Sequence, residues 1–138
     1  ERVLMLEANA LHAKGYSVRF GTLYGGEKAA TGPYMEDLSL PEDRRASFGF
    51  KRLVDVKGYK AVRAYIRKHR ITVLYATLEE ANVIARLAKI GTSRLRVVIR
   101  ESNDARTKIW KFKMLDRLLN CLASRIVAVS KGVRRSLV

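Results

Sequence analysis

The sequence predicts an α/β domain built on a mainly parallel β-sheet with helices on both faces. Short apolar runs alternate along the chain with segments of helical periodicity, which is the order that βαβ units produce. After the first predicted strand, the strands are apolar throughout, as expected where both faces of a sheet are covered. The 138 residues suffice for one domain. We therefore predict a single domain over residues 1–138.

The first predicted elements are a helix, a strand and a long loop. Apolar residues recur at helical spacing over Glu1–Lys14, and Gly15 is a typical residue for the end of a helix. The stretch Tyr16–Tyr24 alternates apolar and polar residues, which predicts a strand that ends at a glycine pair. Both prolines lie in Glu27–Asp43, whose lack of periodicity predicts a loop.

The rest of the chain alternates helices and strands. Each helix is predicted from apolar residues that recur every three or four positions, and each strand from a short apolar run. Ser130 is a good N-cap for the last helix. The predicted elements are, in order, a helix over Tyr59–His69, a strand over Ile71–Tyr75, a helix over Leu78–Ile90, a strand over Arg96–Ile99, a helix over Lys108–Leu122 with Ile109, Phe112, Leu115, Leu118, Leu119 and Leu122 inward, a strand over Ile126–Val129, and a helix that begins at Lys131.

The use of cysteine and histidine argues against disulfides and metal sites. Cys121 is the single cysteine and lies in an apolar run, so we expect a buried thiol and a reducing compartment. The two histidines, His12 and His69, lie far apart on helical patterns. A structural zinc site is therefore not expected.

Positive charge is the strongest compositional feature. The formal net charge is +15, and ten Lys and Arg residues fall between Arg44 and Arg70 against the single acidic residue Asp55. Such a segment attracts nucleic acid, an anionic bilayer or a phosphorylated ligand, and charge alone does not choose among them. Aromatic residues interleave with the charges, a combination that suits contact with lipid headgroups and is equally compatible with a solvated helix face covered by aromatic side chains. The candidate membrane-binding residues are Arg44, Arg45, Lys51, Arg52, Lys57, Lys60, Arg63, Arg67 and Lys68.

The stretch Val97–Arg106, with the sequence V-V-I-R-E-S-N-D-A-R, contains the main candidate site. Three β-branched residues run directly into polar ones, as where a buried strand leaves a sheet. Ligands of open α/β sheets bind at the carboxyl ends of strands, although a solvated turn gives the same local pattern. The candidate binding residues are Arg100, Glu101, Ser102, Asn103, Asp104 and Arg106. Asn82, near the start of a predicted helix, is a further candidate, and a plain surface amide is its alternative interpretation.

Four stretches, in order, resemble the amino-terminal domain of GT-B glycosyltransferases of family 4. The resemblance covers nearly the whole chain, and residues 27–59 are the least similar part. It implies a Rossmann-like domain that lacks the family's first strand and its second domain. The matching stretches are E-R-V-L-M-L-E-A-N-A-L-H-A-K-G-Y-S-V (Glu1–Val18), T-V-L-Y-A-T-L-E-E-A-N-V-I-A-R-L-A (Thr72–Ala88), V-V-I-R-E-S-N-D-A-R (Val97–Arg106) and R-I-V-A-V-S-K-G-V-R-R-S-L-V (Arg125–Val138).

The resemblance implies the acceptor-binding half of a retaining glycosyltransferase. Such enzymes move a sugar from a nucleotide-sugar donor to a lipid-linked or surface-glycan acceptor, as in polysaccharide or lipopolysaccharide synthesis, peripherally at the cytoplasmic face of a membrane. They typically need no metal, and the second domain binds most of the donor, so we expect the chain alone to be inactive. Without the family's first strand, which is central in the sheet, we also expect marginal stability or aggregation.

The resemblance also assigns roles to the candidate residues. Asn82 and the polar residues from Arg100 to Arg106 are expected to line the acceptor cleft, and Arg100 and Arg106 to attract an acceptor phosphate such as a lipid-linked diphosphate. Ser102 stands where the family often has a histidine, so the catalytic residue is left unassigned.

The main alternative is a non-catalytic, basic α/β module that binds nucleic acid. It depends on the net charge and on the aromatic residues within the basic segment, namely Phe48, Phe50, Tyr59 and Tyr65. No helix-turn-helix, zinc-finger, RRM or KH signature supports it. A flavodoxin-type receiver domain ranks last, because the acidic cluster expected at its first strand is missing.

Overall fold

A computed structural model of the chain describes residues 2–25, 35–102 and 108–137. It divides into two compact units, Glu1–Ala61 and Val62–Val138. The helices are α1 (Arg2–Ala13), α2 (Val56–Lys68), α3 (Glu79–Ala88), α4 (Trp110–Leu119) and α5 (Lys131–Leu137). The strands are β1 (Phe20–Thr22), β2 (Arg45–Ser47), β3 (Val73–Thr77), β4 (Arg96–Glu101) and β5 (Arg125–Ala128). Short 3₁₀ turns cover Glu42–Arg44 and Asn120–Leu122.

The first unit contains a parallel pair of strands and a small apolar core. Strand β1 pairs with β2, with Phe20 opposite Arg45 and Thr22 opposite Ser47. Helix α1 packs over the segment that precedes β2, where Asn9 donates from Nδ2 to the Asp37 carbonyl at 2.7 Å and accepts from the Ser39 amide at 2.8 Å. The buried core residues are Met5, Ala8, Met35, Leu38 and Leu40, with Val18 and Phe20 packed against them.

The second unit is built around a three-stranded parallel sheet with the order β3-β4-β5. Strand β4 is central, and its Val97 and Ile99 are fully buried. Helix α3 covers the sheet with Val83, Ile84 and Ala88, all of them buried. Helix α4 packs against α3.

The fold is mixed α/β with parallel strands, compatible with the predicted Rossmann-like class. The described residues form two short sheets, of two and three strands, instead of one. The predicted strand Tyr16–Tyr24 is reduced to Phe20–Thr22, because its partner β2 supplies only three residues for pairing. Strand β2 itself was not predicted, because its sequence R-A-S contains no apolar run.

Three predictions of burial are wrong. Cys121 is exposed in the 3₁₀ turn after α4, and Ile109 and Leu118, predicted to face inward, are exposed as well. For Leu118 the reason is that Asp116, on the opposite side of α4, turns inward to meet two buried cations, whereas Ile109 precedes α4 and Cys121 follows it. A charged group with buried partners thus fixes the rotation of α4 against its apolar pattern.

Candidate functional site

The carboxyl ends of β3, β4 and β5 lie together at one edge of the three-stranded sheet. Thr77 is opposite Arg100, and Glu101 is opposite Ala128. Arg100 is half-buried at this edge and Ser102 is exposed directly after β4. The other predicted binding residues, Asn103, Asp104 and Arg106, lie outside the described residues. The structure therefore places Arg100, Glu101 and Ser102 at the predicted edge.

Asn82 is buried in α3 and is joined to the end of β4. Its Nδ2 atom donates to the Arg100 carbonyl at 3.3 Å and to Glu101 Oε1 at 3.2 Å. Asn82 is therefore not the surface amide of the alternative interpretation. The two acceptors also fix the orientation of the amide, which leaves its Oδ1 atom as an acceptor. Among the described residues, no donor lies within hydrogen-bonding distance of this buried oxygen.

Glu101 is held by a lysine that the sequence did not single out. Lys108 Nζ lies 2.8 Å from Glu101 Oε2 and 2.7 Å from Asp116 Oδ2. Burial alone would lower the pKa of Lys108, but hydrogen bonds to Asp116 and Glu101 outweigh burial and raise the pKa above its usual value. Glu101 Oε1 accepts from Asn82 and Oε2 is paired with Lys108, so both oxygens have partners and hold the end of β4 in place.

Arg86 completes the buried network from α3. Its guanidinium donates to Asp116 Oδ1 at 2.5 Å and to Asn120 Oδ1 at 2.9 Å, and its Nε atom donates to the Asn82 carbonyl at 3.0 Å. Together with Lys108 and Glu101, the network contains two cations and two carboxylates, so their formal charges cancel. A single arginine within the apolar face of α3 was the only signal in the sequence that could have indicated it.

The predicted membrane-binding residues differ in how accessible they are. Arg45 donates to the carbonyls of Leu40 and Leu38 at 2.9 and 2.7 Å, so its guanidinium group is hydrogen-bonded within the first unit. Arg63 is half-buried, with Nη2 close to Gly91. Arg44 is also half-buried. The exposed members of the set are Lys51, Arg52, Lys57, Lys60, Arg67 and Lys68.

The start of α2 forms a shallow basic depression. Asp55 Oδ1 accepts from the amides of Lys57 and Gly58 at 3.0 and 3.1 Å, and Oδ2 accepts from the Lys51 amide at 3.1 Å. These bonds, the Gly58 amide first, lower the pKa of Asp55. The depression is lined by Lys51, Arg52, Val54, Asp55, Val56 and Lys57. Exposed cations and exposed valines therefore occur side by side, a combination that suits a headgroup surface.

The aromatic residues of the basic segment are largely used for packing. Phe50 is buried and meets Tyr24 and Tyr59 edge-on, with ring centroids 6.3 and 5.6 Å apart. Burial raises the pKa of Tyr59. Tyr65 is half-buried and stacks at a tilt on His69. Rings engaged in this way offer little open face for base stacking.

Neither a metal cluster nor a membrane span is found in the part of the chain that the structure describes. In residues 2–25, 35–102 and 108–137, no three His, Cys, Asp or Glu side chains are placed to share a metal ion. No helix within these ranges has the length and apolar character that a bilayer crossing requires. Comparison of the chain with models of known protein families, with curated proteins and with solved structures finds no match.

Proposed function

We propose that the chain is the acceptor-binding half of a retaining glycosyltransferase that moves a sugar from a nucleotide-sugar donor to a lipid-linked or surface-glycan acceptor at the cytoplasmic membrane face. The four stretches that resemble family 4 support the proposal. The observation that carries it is the carboxyl edge of β4, where Arg100 and the exposed Ser102 stand on either side of Glu101, which is hydrogen-bonded to the buried Asn82. This is the edge at which parallel α/β sheets bind their ligands.

Each residue at the edge has a proposed role. Arg100 attracts the phosphate groups of the acceptor, because a guanidinium matches phosphate oxygens in charge and geometry. The Ser102 hydroxyl hydrogen-bonds a sugar hydroxyl. Asn82 and Glu101 position the end of β4 through the hydrogen bond between their side chains.

The exposed cations of the basic segment hold the chain against an anionic membrane. Six exposed Lys and Arg residues remain after Arg44, Arg45 and Arg63 are set aside as half-buried. A basic residue near an anionic surface contributes on the order of 1 kcal/mol. Several such contributions would support reversible peripheral binding.

Binding of a soluble lipid diphosphate tests the acceptor role directly. Farnesyl diphosphate is titrated into the ¹⁵N-labelled chain, and amide shifts are expected at residues 100–102 and in α3. Arg100→Gln is expected to weaken binding about tenfold, since a charge-assisted hydrogen bond is worth roughly 1.5 kcal/mol. Arg94→Gln is the matched control, because Arg94 is an exposed arginine that precedes β4 and so lies at its opposite end.

Two results would overturn the proposal. Loss of binding that is equal for Arg100→Gln and Arg94→Gln would mean that only net charge matters. Tight binding of random-sequence single-stranded oligonucleotides, with no saturable binding of farnesyl diphosphate, would favour the nucleic-acid module instead. Turnover of a nucleotide sugar by the chain alone would contradict the separate prediction that a second domain is needed for activity.

A further inference from the structure

An apolar stripe lies on the solvent side of α4. Trp110, Met114 and Leu118 follow one another at intervals of four residues and are 65%, 50% and 65% exposed. The exposed Ile109 precedes the stripe and the exposed Cys121 follows it. Residues four positions apart occupy one face of a helix, so these side chains form a continuous surface. Isolated exposed apolar residues are ordinary, but a Trp, Met and Leu row of this length marks an interaction surface.

The buried network fixes the outward direction of the stripe. Asp116, on the opposite side of α4, is bound to Arg86 Nη2 and to Lys108 Nζ. Rotating the helix to bury Leu118 would break both ion pairs and leave charged groups buried without partners, which is strongly unfavourable. The exposure of the stripe is therefore a property of the folded unit.

Positive charge flanks the stripe on both sides. In helical projection, Lys111 lies beside Leu118 on one side, and Arg117 and Lys113 lie on the other side; all three are exposed. No acidic residue of α4 shares this face, because Asp116 is turned inward. The surface thus combines one aromatic residue, two aliphatic residues and a border of cations.

We infer that this stripe inserts into the headgroup region of an anionic lipid bilayer. A second copy of the chain would place the same cations against one another, and its net charge of +15 would oppose the approach. Anionic lipids instead supply the complementary charge, their acyl boundary accepts Met114 and Leu118, and an indole suits the interface between them. The inference shares its membrane partner with the proposed function but concerns a different surface.

Tryptophan fluorescence tests the inference at the site itself, because Trp110 is the only tryptophan in the chain. The chain is titrated with vesicles of phosphatidylcholine and phosphatidylglycerol, and with vesicles of phosphatidylcholine alone. The anionic vesicles are expected to shift the emission to shorter wavelength, and lipids brominated near the headgroup are expected to quench it. Anionic vesicles that bind the chain without either change would overturn the inference.

Two lysine substitutions provide a matched comparison in a vesicle flotation assay. Leu118→Lys and Met114→Lys are each expected to bind about tenfold more weakly than Leu6→Lys, which adds the same charge outside the stripe, because each removes one inserted aliphatic side chain. Leu6→Lys is the control, since Leu6 is an exposed leucine of α1, 57% accessible, outside the stripe. All three positions are exposed, so thermal melting should show that each variant folds. Equal binding of Leu118→Lys and Leu6→Lys would overturn the inference.

A variant of α2 separates this inference from the proposed function. Lys57→Gln combined with Lys60→Gln removes charge from the basic segment and leaves the stripe intact. Reduced vesicle binding with an unchanged shift of the bound Trp110 emission is expected if both surfaces act. If the double lysine variant loses vesicle binding while Leu118→Lys keeps it, the stripe has no part in binding and the inference fails. That result would still agree with the proposed membrane binding by the basic segment. Concentration-dependent dimers without lipid, or binding limited to acidic proteins, would also overturn it.

Discussion

Replacing Arg86 tests whether the buried network stabilises the second unit. In Arg86→Met, a side chain of similar length fills the space, but three donors are lost, to Asp116, Asn120 and the Asn82 carbonyl. Arg86 is fully buried, whereas the Asp116 side chain is 20% exposed and keeps its bond to Lys108. We therefore expect a loss of about 3 kcal/mol, at the lower end of the range for breaking a buried ion pair.

The measurement is urea unfolding followed by far-ultraviolet circular dichroism. A thermal melt of the same variant is expected to show a fall in Tm of roughly 10 °C, the shift that such a loss produces in a chain of this size. Arg117→Met is the control, because Arg117 is an exposed cation on α4, and a change below about 0.5 kcal/mol is expected there. Equal effects of the two substitutions would refute the reasoning.

A double variant separates the ion pair from simple packing. In Arg86→Met with Asp116→Leu, both members of the pair are removed, and Lys108 retains its bond to Glu101. Replacing a whole buried pair by apolar groups is often neutral or better, so the double variant should be more stable than Arg86→Met alone. Additive losses would show that the shape of these side chains, and not the balance of their charges, determines the stability.

Three further predictions concern titration and reactivity. Lys108 has a raised pKa in the folded chain, so its contribution to stability is complete below the unfolded pKa of 10.5 and is lost as the pH rises through the higher folded pKa. The difference in the free energy of unfolding between the wild-type chain and Lys108→Met, measured by urea unfolding, should therefore narrow only at alkaline pH. Asp55 has a lowered pKa, so its contribution to stability is present above the unfolded pKa of 3.8 and is lost as the pH falls through the lower folded pKa. At neutral pH we therefore expect Asp55→Ala to have a lower Tm than the wild-type chain and than the control Glu36→Ala. In acid, the Tm of Asp55→Ala should become equal to that of the wild-type chain. Cys121 is exposed, so Ellman's reagent should label one thiol per native chain without denaturant, and slow labelling that follows global unfolding would contradict its placement.

The sequence alone predicted most of the secondary structure. Residues that govern local conformation behaved as expected: the Ser130 hydroxyl accepts from the Val133 amide at 3.1 Å at the start of α5, and Gly15 follows α1 with a positive φ of 85°. The alternation of helices with apolar strands also indicated parallel pairing, which the three strand pairs among the described residues show. These features depend on neighbours in the chain, so a one-dimensional pattern contains them.

The tertiary structure decided which side chains are buried and why. The apolar periodicity of α4 predicted that Leu118 faces inward and gave no role to Asp116. In the structure Leu118 is exposed and Asp116 faces inward, because Asp116 binds Arg86, which lies 30 positions earlier in the chain. The sequence also indicated Asn82 and Glu101 as candidate residues. It did not indicate the hydrogen bond between their side chains, which joins positions 19 residues apart. Local pattern carries no information on such distant partners. A buried charge must nevertheless be paired, and that requirement outweighs the burial of one exposed leucine.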